Sequence, residues 1–247
     1  MREGTEDMKT VFVTGADRGL GMGIAHMLLK AGHRVFAGQF MPGWPELAEM
    51  QRQFPGKLTI VPLDVGDIGS AKAAAKAVEK EAESLDVLIN NAGILSKYDD
   101  AHIRDGQDYD ALMKLYNINA LGPIRTTEAF MPLLDKGAGK RLCYVSSEAG
   151  SLGTSNRKNW FAYCMSKCAL NMGVAILFND LRPDGYTFRV YHPGYMRTYM
   201  MGEKNMAATY EPDEAGAFAV NYFLSETGTY NEDRLILRDN TGKEWPW

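Results

Sequence analysis

The chain has 247 residues, a formal net charge of −4, 45% hydrophobic residues and 23% charged ones. That balance fits one large globular domain or two small ones and excludes a disordered protein, a collagen-like fibre and a coiled coil. It offers no basic field for a nucleic-acid backbone, no stretch is expected to reach the ~20 apolar residues of a membrane helix, and the charged start of the chain lacks the apolar core of a signal peptide.

Residues 1–8 are expected to form a flexible tail, and residues 9–247 a single domain. Thr10 to Val13 is a β-branched and aromatic run that reads as a buried strand, and it leads directly into glycines. Apolar positions across 22–30 follow a helical period, closed at Gly32. Residues 33–37 read as the second strand. The alternation then repeats. A proline-opened helix over 45–54 precedes a strand over 58–63. An alanine-rich helix over 70–83, with Ser70 as its N-cap, precedes a strand over 87–89. A long helix over 109–131 is followed by a strand at Arg141–Val145, a helix at Phe161–Leu181 and a strand over 188–191. A helix over 212–224 and a strand over 234–237 complete the pattern. Strands alternating with helices, without a linker, predict an α/β fold: a doubly wound parallel sheet of about seven strands flanked by helices in one domain.

In such a sheet the ligand crevice lies outside the carboxyl ends of the strands. The polar and glycine residues gather there, after Val13, Leu63, Ile89, Val145 and Tyr191. Cys143, Cys164 and Cys168 make no disulfide framework and read as reduced thiols in a cytoplasmic protein, and the four histidines have no metal-ligand spacing.

The first strand end reads Thr14-Gly15-Ala16-Asp17-Arg18-Gly19-Leu20-Gly21. Glycines let the backbone turn tightly and approach a pyrophosphate, and the helix that follows offers free N–H groups. After a first strand and before a helix, this is a dinucleotide site. The place where an acidic residue would hold a ribose 2′-hydroxyl falls near Gln39, and no Asp or Glu lies between Arg34 and Pro45. Arg18 is suited to a 2′-phosphate, so NADP(H) is favoured over NAD(H). Phe40 stands where a second basic residue would have helped, and a solvated Arg18 is the alternative.

Tyr163 and Lys167 are four apart and so share one helix face. Free tyrosine is a poor acid at neutral pH, and a neighbouring ammonium favours the phenolate. The preceding strand end supplies hydroxyls at Ser146 and Ser147, able to meet a substrate oxygen as its charge develops.

These motifs resemble, in order and over most of the chain, the short-chain dehydrogenase/reductase family in its single-domain branch. The matching residues are Thr14 to Gly21 as TGxxxGxG; Asp64-Val65; Asn90-Asn91-Ala92-Gly93 as NNAG; Asn119 to Gly122 as NxxG; Ser146-Ser147; Tyr163 to Lys167 as YxxxK; and Pro193-Gly194 with Thr198 as PGxxxT. The resemblance implies a Rossmann-like fold and a catalytic tetrad of Asn119, Ser147, Tyr163 and Lys167. Tyr163 is then the general acid or base. Lys167 holds the nicotinamide ribose and lowers the Tyr163 pKa, Ser147 orients the carbonyl, and Asn119 fixes a water that relays protons to Lys167. It implies cofactor contacts from Gly15, Asp17, Arg18, Gly19, Leu20 and Gly21, from Gln39, from Asp64 and Val65 at the adenine, and from Asn91, Ala92 and Gly93. Pro193, Gly194, Met196 and Thr198 would hold the carboxamide end. Asn117 and Ser146 are the rivals of Asn119 and Ser147, set aside by the NxxG and SSxxG spacings.

The same likeness places the substrate among Ser147, Leu95, Trp160 and Tyr195, with Met196, Tyr199, Met200 and Met201 making an apolar pocket. The 151–159 loop, with Arg157 and Lys158, is about three residues longer than is usual for the family. It is expected to be a solvated surface loop, or else to reshape the substrate mouth or contact an acidic substrate. The end of the chain, Trp245-Pro246-Trp247, is weakly similar to C-factor-like and sniffer-like carbonyl reductases, and its tryptophans are expected to dock on the body or on a second subunit. The family also implies a homodimer or homotetramer. Together these readings predict an NADP(H)-dependent oxidoreductase acting on a small-molecule carbonyl or alcohol. An NADP(H)-binding sensor without its own substrate, or an NAD(H)-dependent alcohol dehydrogenase of the same fold, is the alternative.

Overall fold

The computed structural model describes residues 8–96, 100–200 and 202–247. Most of the expected N-terminal tail, and Met201 of the expected pocket, lie outside these residues. The elements in order are β1 (Thr10–Val13), α1 (Gly19–Lys30), β2 (Arg34–Gln39), α2 (Glu46–Gln53), β3 (Leu58–Pro62), α3 (Ile68–Glu79), β4 (Val87–Asn90), α4 (Tyr109–Leu115), α5 (Gly122–Leu134), β5 (Arg141–Val145), α6 (Phe161–Leu181), β6 (Thr187–His192), α7 (Pro212–Phe223), β7 (Leu237–Asp239) and β8 (Glu244–Trp245).

The strands form one sheet in the order β3-β2-β1-β4-β5-β6-β7-β8. All neighbours are parallel except β7 and β8. The order reverses between β1 and β4, and that switch point opens the crevice. Because side chains alternate along a strand, the sheet feeds two cores. Val11, Val13, Val35, Ile89 and Tyr191 pack with α1 and α7 on one face. Phe12, Phe36, Leu88, Tyr144 and Phe188 pack with α3, α5 and α6 on the other. Each fully buried large apolar side chain contributes roughly 1.5–3 kcal/mol. The helices α1 and α7 cross closely, because a Cβ on Gly23 would lie 2.0 Å from the Pro212 carbonyl oxygen.

Four expectations are corrected. Asp67, not Ser70, caps α3: its carboxylate accepts from the Gly69 and Ser70 amides, while the Ser70 hydroxyl accepts from the Asp64 amide at 2.9 Å. The long helix over 109–131 is interrupted by a π-helical segment, Tyr116–Leu121, between α4 and α5. The last strand begins at Leu237, where pairing with Val190 starts. The chain then turns back as β8, because the Asp239 carboxylate accepts from the amides of Thr241 and Lys243 and from the Trp245 indole at 2.9–3.0 Å. One stretch, Phe161–Asp184, does reach a mean hydropathy of 1.5, long and apolar enough to cross a membrane by composition alone. Within the fold it is α6, whose Leu170, Val174 and Phe178 lie in the second core.

Candidate active site

Thr14 ends β1 and ties the glycine turn to the end of β4. Its hydroxyl accepts from the Asn91 and Ala92 amides, both at 2.9 Å. In return the Asn91 side-chain amide donates to the carbonyls of Thr14 (2.9 Å) and Gly15 (3.1 Å). The turn has no room for side chains: a Cβ on Gly21 would lie 2.2 Å from the Gly15 oxygen, and Gly15 and Gly19 have φ of +61° and +57°. Arg18 stands at the N-cap of α1 without a side-chain cap, which leaves the first amides of the helix available to an anion. This bare, closely cradled helix start fits a pyrophosphate.

Around it the expected cofactor residues divide. The buried Asp17 carboxylate accepts from the Phe40 and Met41 amides at 2.7–3.2 Å, so it fastens the end of β2 to the turn. Leu20 is buried in the core. Gln39 is half-buried at the end of β2. Asp64 accepts from the Gly66 amide at 2.7 Å, and Val65 is buried against Gly122. Gly93 faces Asn119 and Lys167. Gly194, after Pro193, has φ +77° and backs onto Asn240. The Met196 carbonyl accepts from the Thr198 amide at 2.9 Å, and a Cβ on Gly19 would lie 3.3 Å from the Thr198 methyl, so this segment overhangs the turn. The Arg18 guanidinium is not free in solvent: it lies 4.9 Å over the Trp44 ring, and Trp44 packs edge-on against Tyr199.

The four tetrad positions converge. Asn119 is fully buried on the π-helical segment. It donates to the Ile94 carbonyl (2.9 Å) and the Ser166 hydroxyl (3.0 Å), and accepts from the Ile94 amide (2.8 Å). Ser166, one turn along from Tyr163, donates to the Tyr163 carbonyl at 2.8 Å. Lys167 is buried and donates to the Val145 carbonyl at 2.9 Å, with its ammonium 5.7 Å from the Tyr163 ring centroid. Ser147 starts the turn after β5, its hydroxyl accepting from the Ala149 amide at 3.1 Å. The rivals are committed elsewhere. Ser146 donates to Asn171 at 2.6 Å, and Asn117 binds Gly66 and Arg125.

Burial sets the protonation states. It pushes the Lys167 ammonium down to about 8. It also pushes the Tyr163 phenol up to about 12, against the downward pull of the Ser147 hydrogen bond and the Arg157 charge and with a further upward push from Glu148. Desolvation of the phenolate is the largest of these influences.

On the substrate side Trp160 holds a left-handed conformation, φ +65°, at the start of α6. Its ring meets Tyr163 edge-on and its indole donates to Asp100 at 3.1 Å. Leu95 is half-buried beside the NNAG turn, and Tyr195 is exposed, its hydroxyl accepting from Asn205 at 2.6 Å. Sequence reasoning missed Ser166, Trp44, Glu148 and Asp100. Only Ser166 had a signal, its place inside YxxxK.

The short chain dehydrogenase family model matches residues 9–209, and the chain belongs to that family. It is 32% identical over 238 residues to the 1-hydroxy-2-glutathionyl-2-methyl-3-butene dehydrogenase of Rhodococcus sp. (strain AD45), across 96% of this chain and 100% of that one. The NADPH-bound carbonyl reductase from chicken fatty liver superposes with a TM-score of 0.86 and 29% identity, covering 97% of this chain and 99% of that one. The carbonyl reductase Sniffer of D. melanogaster also reaches 0.86, with 25% identity over 97% and 100% of the two chains. The protein is an NAD(P)-dependent oxidoreductase of the short-chain dehydrogenase family.

Proposed function

We propose that the protein reduces a ketone or aldehyde with NADPH, or oxidises the matching alcohol, with Tyr163 exchanging the proton. The observation that carries this reading is the convergence of Tyr163, Lys167 and Asn119 beside the turn at Gly93, with Ser147 at the end of the neighbouring strand. Ser147 offers its hydroxyl to the substrate oxygen, and the neutral Tyr163 phenol donates to that oxygen as negative charge grows on it. Lys167, held by Val145, presents its ammonium beside the phenol and the ribose site, and Asn119 holds Ile94 and Ser166 in place beneath it. The glycine turn would hold the pyrophosphate and Arg18 the 2′-phosphate, with Gln39 beside it in place of an acidic residue. When bound, the nicotinamide supplies the hydride. The apolar side chains exposed on α4 and α6, Tyr109, Met113, Met165, Met172 and Ile176, support a homodimer or homotetramer.

The test is a panel of carbonyls with NADPH, run on the wild type and on Tyr163→Phe. The substitution is expected to lower kcat by about 10²–10⁴ while the NADPH Kd, followed by tryptophan quenching, stays within about twofold of wild type. Full activity in the variant, or no turnover by the wild type despite tight NADPH binding, rejects the reading.

A further inference from the structure

We propose that Pro246 and Trp247 are positioning residues of the catalytic centre, acting through the 151–159 loop. The inference deepens the proposed function, since it rests on Tyr163 as the proton donor. Two features stand outside the strands and helices of the nucleotide fold, the 151–159 loop after Ser147 and the tryptophan-bearing end of the sequence. The structure joins them. The Ser151 hydroxyl, on a buried residue, donates to the Pro246 carbonyl across 95 positions of sequence. The Gly153 amide donates to the Trp247 carbonyl at 3.0 Å. A Cβ on Gly153 would lie 3.1 Å from Pro246, so the two strands of chain are in direct contact. The far side of the clasp is anchored as well: the Trp247 indole donates to the Leu235 carbonyl at 3.3 Å, and Trp245 packs edge-on against His192 at the end of β6.

What the clasp holds is a ring of contacts that closes on Tyr163. Ser147 begins the turn, its hydroxyl accepting from the Ala149 amide at 3.1 Å. Its neighbour Glu148 forms an ion pair with Arg157 of the loop. The Arg157 guanidinium lies 4.8 Å over the Trp160 ring, and Trp160 meets the Tyr163 ring at 5.9 Å. Trp160 sits in a left-handed conformation that costs a non-glycine residue energy, so its place depends on these neighbours and on Asp100. An ion pair between two partly exposed side chains is weak by itself. Fastening the loop backbone at Ser151 and Gly153 lowers the entropy lost in forming that pair, and so keeps Arg157 on Trp160 and Trp160 on the catalytic ring. A longer loop needs such a fastening more than a short one.

Two variants break the clasp from opposite sides. Deleting Pro246 and Trp247 keeps Trp245, its pairing with Leu237 and its bond to Asp239. Gly153→Val keeps the end of the chain and pushes it away. In both, hydrogen exchange is expected to lose protection at the Gly153 amide and through 151–159. KM for the best carbonyl substrate is expected to rise about tenfold, since small misplacements of a positioned group are felt strongly, with the NADPH Kd within about twofold. Unchanged exchange in the loop, or an unchanged KM in both variants, overturns the proposal, and so does a purely thermal effect in which only Tm falls. If the wild type turns over no carbonyl, the functional reading fails on its own, and loss of loop protection in the variants still decides whether the clasp exists.

Discussion

Asn119 and Tyr163 are joined through one hydroxyl: the Asn119 amide donates to Ser166, and Ser166 donates to the Tyr163 carbonyl. The helix that carries the phenol is thereby locked to the π-helical segment that carries Asn119. π-helical turns are rare and gather at functional sites, because they offset a side chain that a regular helix would bury elsewhere. Ser166→Ala is expected to remove about 1 kcal/mol of stability, the net worth of a typical hydrogen bond, and to lower kcat more than it raises KM. Asn119→Ala is expected to cost more, since it strands both the amide and the carbonyl of Ile94. Urea melts and steady-state kinetics check both. An Asn119→Ala protein as stable as wild type contradicts the structural half of the argument.

Lys167 makes stability depend on pH. Burial lowers its pKa in the folded state to about 8, from 10.5 in the unfolded chain. Between those values the unfolded state binds more protons, so this residue makes the folded state more stable as pH rises through the window. Below about 8 the buried lysine is charged in both states and its desolvation cost is fully present. Lys167→Met is expected to abolish turnover and to flatten the rise in Tm between those pH values. Parallel melting curves for the two proteins across the window contradict the assignment.

The glycine cradle tolerates no side chain at Gly21, where a Cβ would meet both the Gly15 oxygen and the Asn91 amide, whereas Gly43 has open space around it. Gly21→Ala is expected to destabilise by at least the ~1–3 kcal/mol of an overpacked site and to abolish NADPH binding. Gly43→Ala is expected to leave both close to wild type. Thermal melts and NADPH titration of the pair test the cradle against a general intolerance of change.

On the proposed reading, Arg18 carries the cofactor preference. Arg18→Ala is expected to weaken NADPH binding at least about tenfold, ~1.4 kcal/mol, with little change for NADH. Trp44→Ala removes the ring on which Arg18 rests, and is expected to shift the NADPH:NADH ratio in the same direction by less. Equal losses for both dinucleotides would mean that Arg18 serves the fold of the turn and not the 2′-phosphate.

The sequence by itself determined the α/β alternation, the glycine turn after β1, the NNAG and PG strand ends, and Tyr163 and Lys167 on one face of α6. Each follows from chemistry local to a few residues, where period-2 and period-3.6 patterns and glycine backbone freedom act directly. Tertiary structure decided the rest. It broke the helix at Tyr116–Leu121 so that Asn119, and not Asn117, reaches Ser166. It gave Ser146 to Asn171, and Ser147 to the turn that follows β5. It set the surroundings of the Tyr163 ring, whose burial pushes the phenol pKa up. And it brought the end of the chain against Ser151 and Gly153, a contact across more than 90 residues. No local pattern encodes such a contact, because it depends on the path of the whole backbone around the sheet.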